Sequence, residues 1–194
     1  MFRIGKLPKR FFRITIGVSL VFTALSIGAC NEAYKIAEIR EGFIHFSFEY
    51  PARYQSEPQI STTTSATNWF VSSETANTEG GIVLSIRAHN EEGPSSNAVD
   101  WYEDLSEQLA SRDIANARNI ERSTIKEGLI SGKTIAYSWL YDANYKTLTT
   151  FVDRFVFFDM NGVPFTVQVA AEQSVSRQAK ADLNHLLRTF KILE

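Results

Sequence analysis

The sequence predicts an α+β domain in which a single antiparallel sheet of about six to seven strands is flanked by two main helices. Short segments of alternating apolar and polar residues recur along the chain, which is the period of a half-buried strand. Two longer segments carry apolar residues at helical spacing. The dipeptide Asn161-Gly162 separates two strand segments and is the strongest hairpin signal in the chain. Hairpin-joined strands are antiparallel, so the second half of the chain cannot form a parallel sheet.

The first predicted strand lies in FIHFSFEYP, where residues 44–50 alternate between apolar and polar and Pro51 ends the ladder. Short strands are expected around Ile60 and Trp69, and another over 81–88. A loop then connects the strand over 81–88 to the first helix.

The first helix is expected to begin at a cap provided by Ser96 or Asn97 and to end near Arg112, because apolar residues recur at helical spacing between them. The segment 151–158 is nearly apolar on both faces, which predicts a central strand covered on both sides. The expected order of elements is β-β-β-α-β-β-β-β-α. The second half supplies strands over 120–126, 133–141, 147–158 and 165–171, and a helix over 174–190.

The N-terminal segment has the features of a secretory signal. Five basic residues and no acid precede Ile14 to Ala29, a run without charge. This run is near the lower length limit for a membrane-spanning helix, so an uncleaved N-terminal anchor and a cleaved, unanchored protein are the alternatives.

Ile27-Gly28-Ala29-Cys30 resembles the lipobox of bacterial lipoproteins, an aliphatic residue and two small residues before a cysteine. The resemblance implies cleavage after Ala29 and a diacylglycerol on the Cys30 sulfur, which makes Cys30 the acylated N-terminus. Two or more acyl chains, at ~0.8 kcal/mol per buried CH₂, hold a protein stably on a membrane. The expected location is the cell membrane or outer membrane, with the domain on the extracytoplasmic side.

Three regions follow from this interpretation. Residues 1–29 are the signal peptide, 30–42 a lipidated N-terminus with a tether or a frayed first helix, and 43–194 the α+β domain. Residues 1–29 hold five basic residues and no acids. Without them, 15 basic residues remain against 22 acidic ones, which gives a net charge of −7.

Nucleic-acid binding needs clustered Lys and Arg, so we expect no nucleic-acid partner. Cys30 is the only cysteine, so no intrachain disulfide can form.

Five marks in the order of the chain resemble the PsbP-like superfamily, whose members include photosystem PsbP proteins and bacterial DcrB-type lipoproteins. The resemblance implies an antiparallel sheet sandwiched between helices, and assembly or binding roles without a shared catalytic motif. The marks are FSFEYPARY, a helix after a mid-chain loop, ISGKTIAYSW, an aromatic strand with an Asn-Gly hairpin, and LLRTFKI.

The segment GLISGKT, Gly128 to Thr134, lacks the glycine spacing of a P-loop and is followed by a strand pattern, so we predict a strand-to-strand turn and no nucleotide site. The three histidines show no metal-ligand spacing. We interpret Asp182 and His185 as a solvated pair on a helix, and expect no metal and no cofactor. A weak Ca²⁺ site at His89 to Glu92 is the alternative considered for metals.

No framed catalytic nucleophile is evident, since the chain has no G-x-S-x-G. The carboxylate pairs Glu91-Glu92 and Glu103-Asp104 are interpreted as solvated. Tyr137, Trp139 and Tyr141 share one face of a predicted strand. They either pack under a helix or form an aromatic binding face.

The resulting expectation is a membrane-anchored, non-enzymatic accessory or binding module with an envelope protein partner. One alternative is a small-molecule or metal-binding lipoprotein that serves a transporter. A hydrolase of the envelope is the third class.

Overall fold

The structure is a computed structural model that describes residues 33–41, 44–54, 59–62, 66–72, 81–89, 97–114, 116–142 and 148–193. Ala29, Cys30 and the rest of the signal lie outside these residues. The described elements, in chain order, are β1 (Tyr34–Glu41), β2 (Ile44–Pro51), β3 (Gln59–Thr62), β4 (Ala66–Ser72), β5 (Ile82–His89), α1 (Ala98–Ser111), β6 (Arg118–Glu127), β7 (Ile130–Asp142), β8 (Leu148–Met160), β9 (Val163–Glu172), a 3-10 turn (Gln173–Val175), α2 (Ser176–Thr189) and β10 (Lys191–Ile192).

The main sheet contains seven of the described strands in the order β3-β4-β5-β9-β8-β7-β6, and its neighbouring strands are antiparallel. Strand β8 lies between β7 and β9, and its side chains alternate between two separate cores. Val156 and Phe158 belong to one core and Phe157 to the other. The prediction of a central strand covered on both sides is therefore confirmed.

Two turns follow directly from glycine chemistry. Asn161 and Gly162 have φ values of 51° and 78°, the two positive values of a type I′ turn, and connect Met160 to its partner Val163. Gly128 has a φ of 59° in the turn between β6 and β7. GLISGKT thus joins two strands, as predicted, but the turn is confined to Gly128 and Leu129, and the rest of the segment belongs to β7.

The α+β class, the antiparallel pairing and the two helices agree with the sequence prediction, but the strands form two sheets. Strand β2 was expected to open the main sheet and instead lies at the centre of a second sheet of order β1-β2-β10. The pairing of β2 with β10 joins Phe46 to Ile192, near the other end of the domain. The alternation of apolar and polar residues within β2 identifies it as a strand. Its pairing with β10 instead depends on contacts between residues far apart in the sequence.

The interpretation of residues 31–42 as a tether or a frayed helix is wrong for Tyr34–Glu41, which form β1 and pair with β2 along their whole length. Ala37 and Ile39 are buried, and the intervening side chains at 38 and 40 are exposed. The alternation was obscured in the sequence because four of the eight residues carry charge.

The larger core lies between the main sheet on one side and α2 with the second sheet on the other. Phe190, which follows α2, is 1% exposed, and its ring centroid lies 5.3 Å from that of Phe46 and 5.1 Å from that of Phe165. Helix α1 covers the opposite face of the main sheet with a smaller core. Its first turn is capped by Asn97, whose Oδ1 accepts from the Val99 and Asp100 amides.

Asp182 connects α2 to the segment after β2. Its interpretation as half of a solvated pair with His185 is therefore wrong. The Asp182 carboxylate is 1% exposed, accepts the Tyr54 hydroxyl at 2.9 Å and forms an ion pair with Arg53. His185 faces the second sheet, with Nε2 2.9 Å from Glu49 Oε2. The i,i+3 spacing placed both side chains on one side of the helix, and that side is covered by β2 and its following turn.

We predict that Gly132→Ala strongly destabilises the domain. A Cβ at this position would meet the Phe157 carbonyl oxygen at 2.2 Å, so β7 and β8 would have to separate at this point of their pairing. Overpacking of this kind costs about 2–3 kcal/mol. Urea unfolding followed by circular dichroism measures the loss. Ser131→Ala, at the exposed neighbouring position, is the control, and equal stability of the two variants would contradict the prediction.

Candidate functional site

The structure brings the three predicted aromatic residues together on the α1 side of the main sheet, and β8 adds a fourth. We call Tyr137, Trp139, Tyr141 and Phe151 the aromatic face. The Trp139 and Phe151 rings stack with centroids 5.3 Å apart, and the Tyr141 ring lies 5.9 Å from each of them in an edge-to-face arrangement. These geometries are the favoured ones for aromatic pairs.

The aromatic face is covered at one end and open at the other. Tyr137 is 7% exposed and belongs to the core under α1, whereas Tyr141 is 47% exposed. Helix α1 contacts the far end of the same sheet face: Tyr102 lies edge-on to Phe157 with centroids 6.0 Å apart. Tyr137 therefore packs in the core under α1, whereas Tyr141 is accessible, and a binding role for the aromatic face stays a prediction.

A buried carboxyl group lies beneath the aromatic face. Asp153 is directly opposite Tyr137 in the strand pairing and is 6% exposed. The Trp139 indole N–H donates to it at 2.8 Å, the Gln168 amide donates at 3.4 Å, and the Tyr137 hydroxyl also bonds to it. By bonding to both groups, the Asp153 carboxyl fixes the orientation of the Trp139 indole and the Tyr137 phenol.

Burial dominates the ionisation of this pair. Loss of hydration raises the pKa of Asp153, although its three hydrogen-bond donors act in the opposite direction. Burial, assisted by the nearby carboxylate, also raises the pKa of Tyr137. The site therefore holds protons on both groups to higher pH than free side chains would.

Asp153 was missed in the sequence reading, although a signal was present. It is one of only two charged residues in the apolar run TLTTFVDRFVFF, and a charge inside a strand covered on both faces needs partners. The partners come from β7 and β9, so their identity depends on the register of three strands. That register is not a local property of the sequence.

The described residues contain no group of three or more His, Cys, Asp or Glu side chains able to hold a metal ion. His89 is 3% exposed, stacks on Trp101 with centroids 4.0 Å apart, and has its Nε2 2.9 Å from Thr166 Oγ1. Burial lowers the pKa of His89 to about 4. Glu91 and Glu92 of the considered Ca²⁺ site lie outside the described residues.

The second carboxylate pair, Glu103 and Asp104, is exposed on α1, as predicted. Across the described part of the chain, no helix has the length and apolar character needed to cross a bilayer.

No protein-family model matches the chain, and no curated protein matches it. A crystal structure of a protein from Bacteroides thetaiotaomicron is similar with a TM-score of 0.41 and 13% identity, over 77% of this chain and 45% of that one. This chain thus spans less than half of that protein's length.

Two further solved structures are similar. Cyanobacterial PsbP (CyanoP) from Synechocystis gives a TM-score of 0.44 at 11% identity, over 87% of this chain and 98% of that one. LpqN of Mycobacterium tuberculosis, which is involved in cell envelope biogenesis, gives a TM-score of 0.34 at 12% identity, over 84% of this chain and 86% of that one. At these scores and identities, membership of the PsbP-like family stays a prediction from the sequence, and no function is transferred.

We predict that Asp153 makes the domain less stable as pH rises above 3.8, the ordinary pKa of an aspartate side chain. The native carboxyl holds its proton above the ordinary value of 3.8, so between 3.8 and the raised pKa the native state binds more protons than the unfolded chain. The free energy of unfolding then falls with rising pH in that window. Asp153→Asn removes the titrating group and with it this slope.

Urea unfolding at several pH values measures the effect. The quantity to compare is the free energy of unfolding of the natural protein minus that of Asp153→Asn. This difference should decrease as pH rises. Asp104→Asn, which removes an exposed carboxylate of α1, controls for the loss of one charge. A difference that grows with pH would contradict the prediction.

Proposed function

We propose that this chain is a lipid-anchored extracytoplasmic protein that acts as a non-enzymatic accessory module of an envelope protein complex, and that it binds its protein partner through the aromatic face. The observation that carries the proposal is the open end of that face at Tyr141, next to the partly buried Trp139. Large aromatic side chains held in a fixed orientation are the residues most often responsible for binding energy at protein interfaces.

The fixed orientation matters because it lowers the cost of binding. Trp139 and Phe151 stack on each other, and the indole is held by Asp153 through its N–H. A partner therefore meets side chains that have already lost their rotamer freedom.

Charge favours a partner with apolar and basic side chains. The chain from Cys30 onward carries 15 basic and 22 acidic residues, a net charge of −7. Complementary charge steers association, and Lys or Arg side chains bind well over the faces of Trp and Tyr. The proposed partner surface thus combines apolar residues with Lys or Arg.

The buried acid is suited to holding side chains and not to attacking a bound molecule. Asp153 is occupied by donors from Trp139, Gln168 and Tyr137, all on strands of the same sheet. This arrangement supports a binding role and a non-enzymatic function.

We predict that a photoreactive phenylalanine analogue at Tyr141 crosslinks to one envelope protein in intact cells. Tyr141 is 47% exposed on the aromatic face. The matched control is the same analogue at Leu129, which is 82% exposed in the turn between β6 and β7. Gel shifts and mass spectrometry identify the products.

A single adduct from position 141 that is absent from position 129 and is lost on Trp139→Ala supports the proposal. Equal products from both positions, or none from position 141, would refute it. A folded, partner-free protein that turns over a substrate would refute the non-enzymatic role.

We predict that Cys30→Ser abolishes processing and lipid attachment. The serine hydroxyl replaces the thiol that would receive the diacylglycerol, so the precursor keeps residues 1–29 and gains no acyl chain. Metabolic labelling with an alkyne fatty acid and the mass of the purified chain measure both effects. Ser26→Ala, four residues earlier, is the control and should be processed normally. Processed, labelled Cys30→Ser protein would contradict lipidation.

A further inference from the structure

A groove of about 250 Å³ lies between α2 and the edge strand β6, on the opposite side of the main sheet from the aromatic face. Its floor is formed by β7 and β8 and its walls by β6 and α2. Its lining residues include the charged side chains Glu121, Glu127, Arg154 and Lys180 and the neutral polar residues Ser123, Thr124, Thr134 and Asn184.

Arg154 is the unusual feature of this groove. It occupies β8 between Val152 and Val156, which are 8% and 2% exposed. Its Nε atom is buried and has no hydrogen-bond partner, and among the described residues Arg154 forms no ion pair. A buried guanidinium donor without an acceptor is costly, and such groups are nearly always paired.

The surroundings of Arg154 leave room for an acceptor. The residue directly opposite on β7 is Ala136, and the next one across, on β6, is Glu121. The Ser123 and Thr134 hydroxyls lie 2.6 Å apart, two residues further along β6 and β7. A guanidinium presents a planar fork of donors that matches the two oxygens of a carboxylate.

The charge balance favours a single negative charge. Two bases, Arg154 and Lys180, line the groove together with two acids, Glu121 and Glu127. The two acids repel a dianion more strongly than a monoanion, because the repulsion scales with the charge of the ligand. Val156 and Leu183 supply apolar lining.

We infer that this groove binds a small monocarboxylic acid, whose carboxylate pairs with Arg154 and whose apolar part lies against Val156 and Leu183. The volume of about 250 Å³ corresponds to roughly eight waters at ~30 Å³ each, which limits the ligand to a molecule of roughly that many non-hydrogen atoms. The inference does not depend on the proposed docking role, because the two sites lie on opposite faces of β8.

Propionate tests the inference in a nuclear magnetic resonance titration of the full purified protein. The Nε–Hε signal of Arg154, assigned by its loss in Arg154→Lys, should move saturably with propionate. Arg154→Lys, followed through the Ser123 and Thr134 amides, should bind at least tenfold more weakly. Arg122→Lys is the matched control, because Arg122 is exposed on β6 and pairs with Ile135, which faces α1. Its affinity should equal that of the natural protein.

A second variant keeps the arginine. Ala136→Val fills the space beside Arg154 and should also weaken propionate binding. An unmoved Arg154 signal, equal affinity in Arg154→Lys, or tighter binding of inorganic phosphate than of propionate would each overturn the inference.

Discussion

The middle of strand β8 is packed on both faces, so a polar side chain there has to find its partners on one face of the sheet or the other. Asp153 and Arg154 are consecutive and therefore point to opposite faces, where the sheet itself prevents them from pairing. The acid is satisfied by Trp139, Gln168 and Tyr137 under the aromatic face. The base reaches the groove beneath α2 with its Nε unsatisfied. One dipeptide thus generates both candidate sites.

Local features of the fold were predictable from the sequence. The Asn97 cap, the Asn161-Gly162 turn and the strand-turn-strand at Gly128 each depend on a few adjacent residues. The second sheet was not predictable in the same way, because β2 pairs with β1 on one side and with Lys191–Ile192 on the other. That choice is made by tertiary packing, in which the ring of Phe46 contacts that of Phe190.

The candidate site shows the same division. Alternation along one strand placed Tyr137, Trp139 and Tyr141 on a common face. Phe151 and Asp153 joined them only through the register of β7 against β8, which a single sequence does not specify. The open end of the face depends on where α1 stops, and the length of the helix gives no information about which part of the sheet it covers.

The early start of β1 has a geometric consequence for the proposed lipoprotein. Four residue steps separate Cys30 from Tyr34, the first residue of the sheet, and fully extended chain covers only about 14 Å in that distance. Under the proposed anchoring, so short a connection would restrict the orientation of the domain as well as its distance from the membrane. The edge strand β1, with Tyr34 and Ile36 39% and 51% exposed, would lie close to the lipid headgroups. A partner would then reach the other surfaces of the domain from a restricted set of directions.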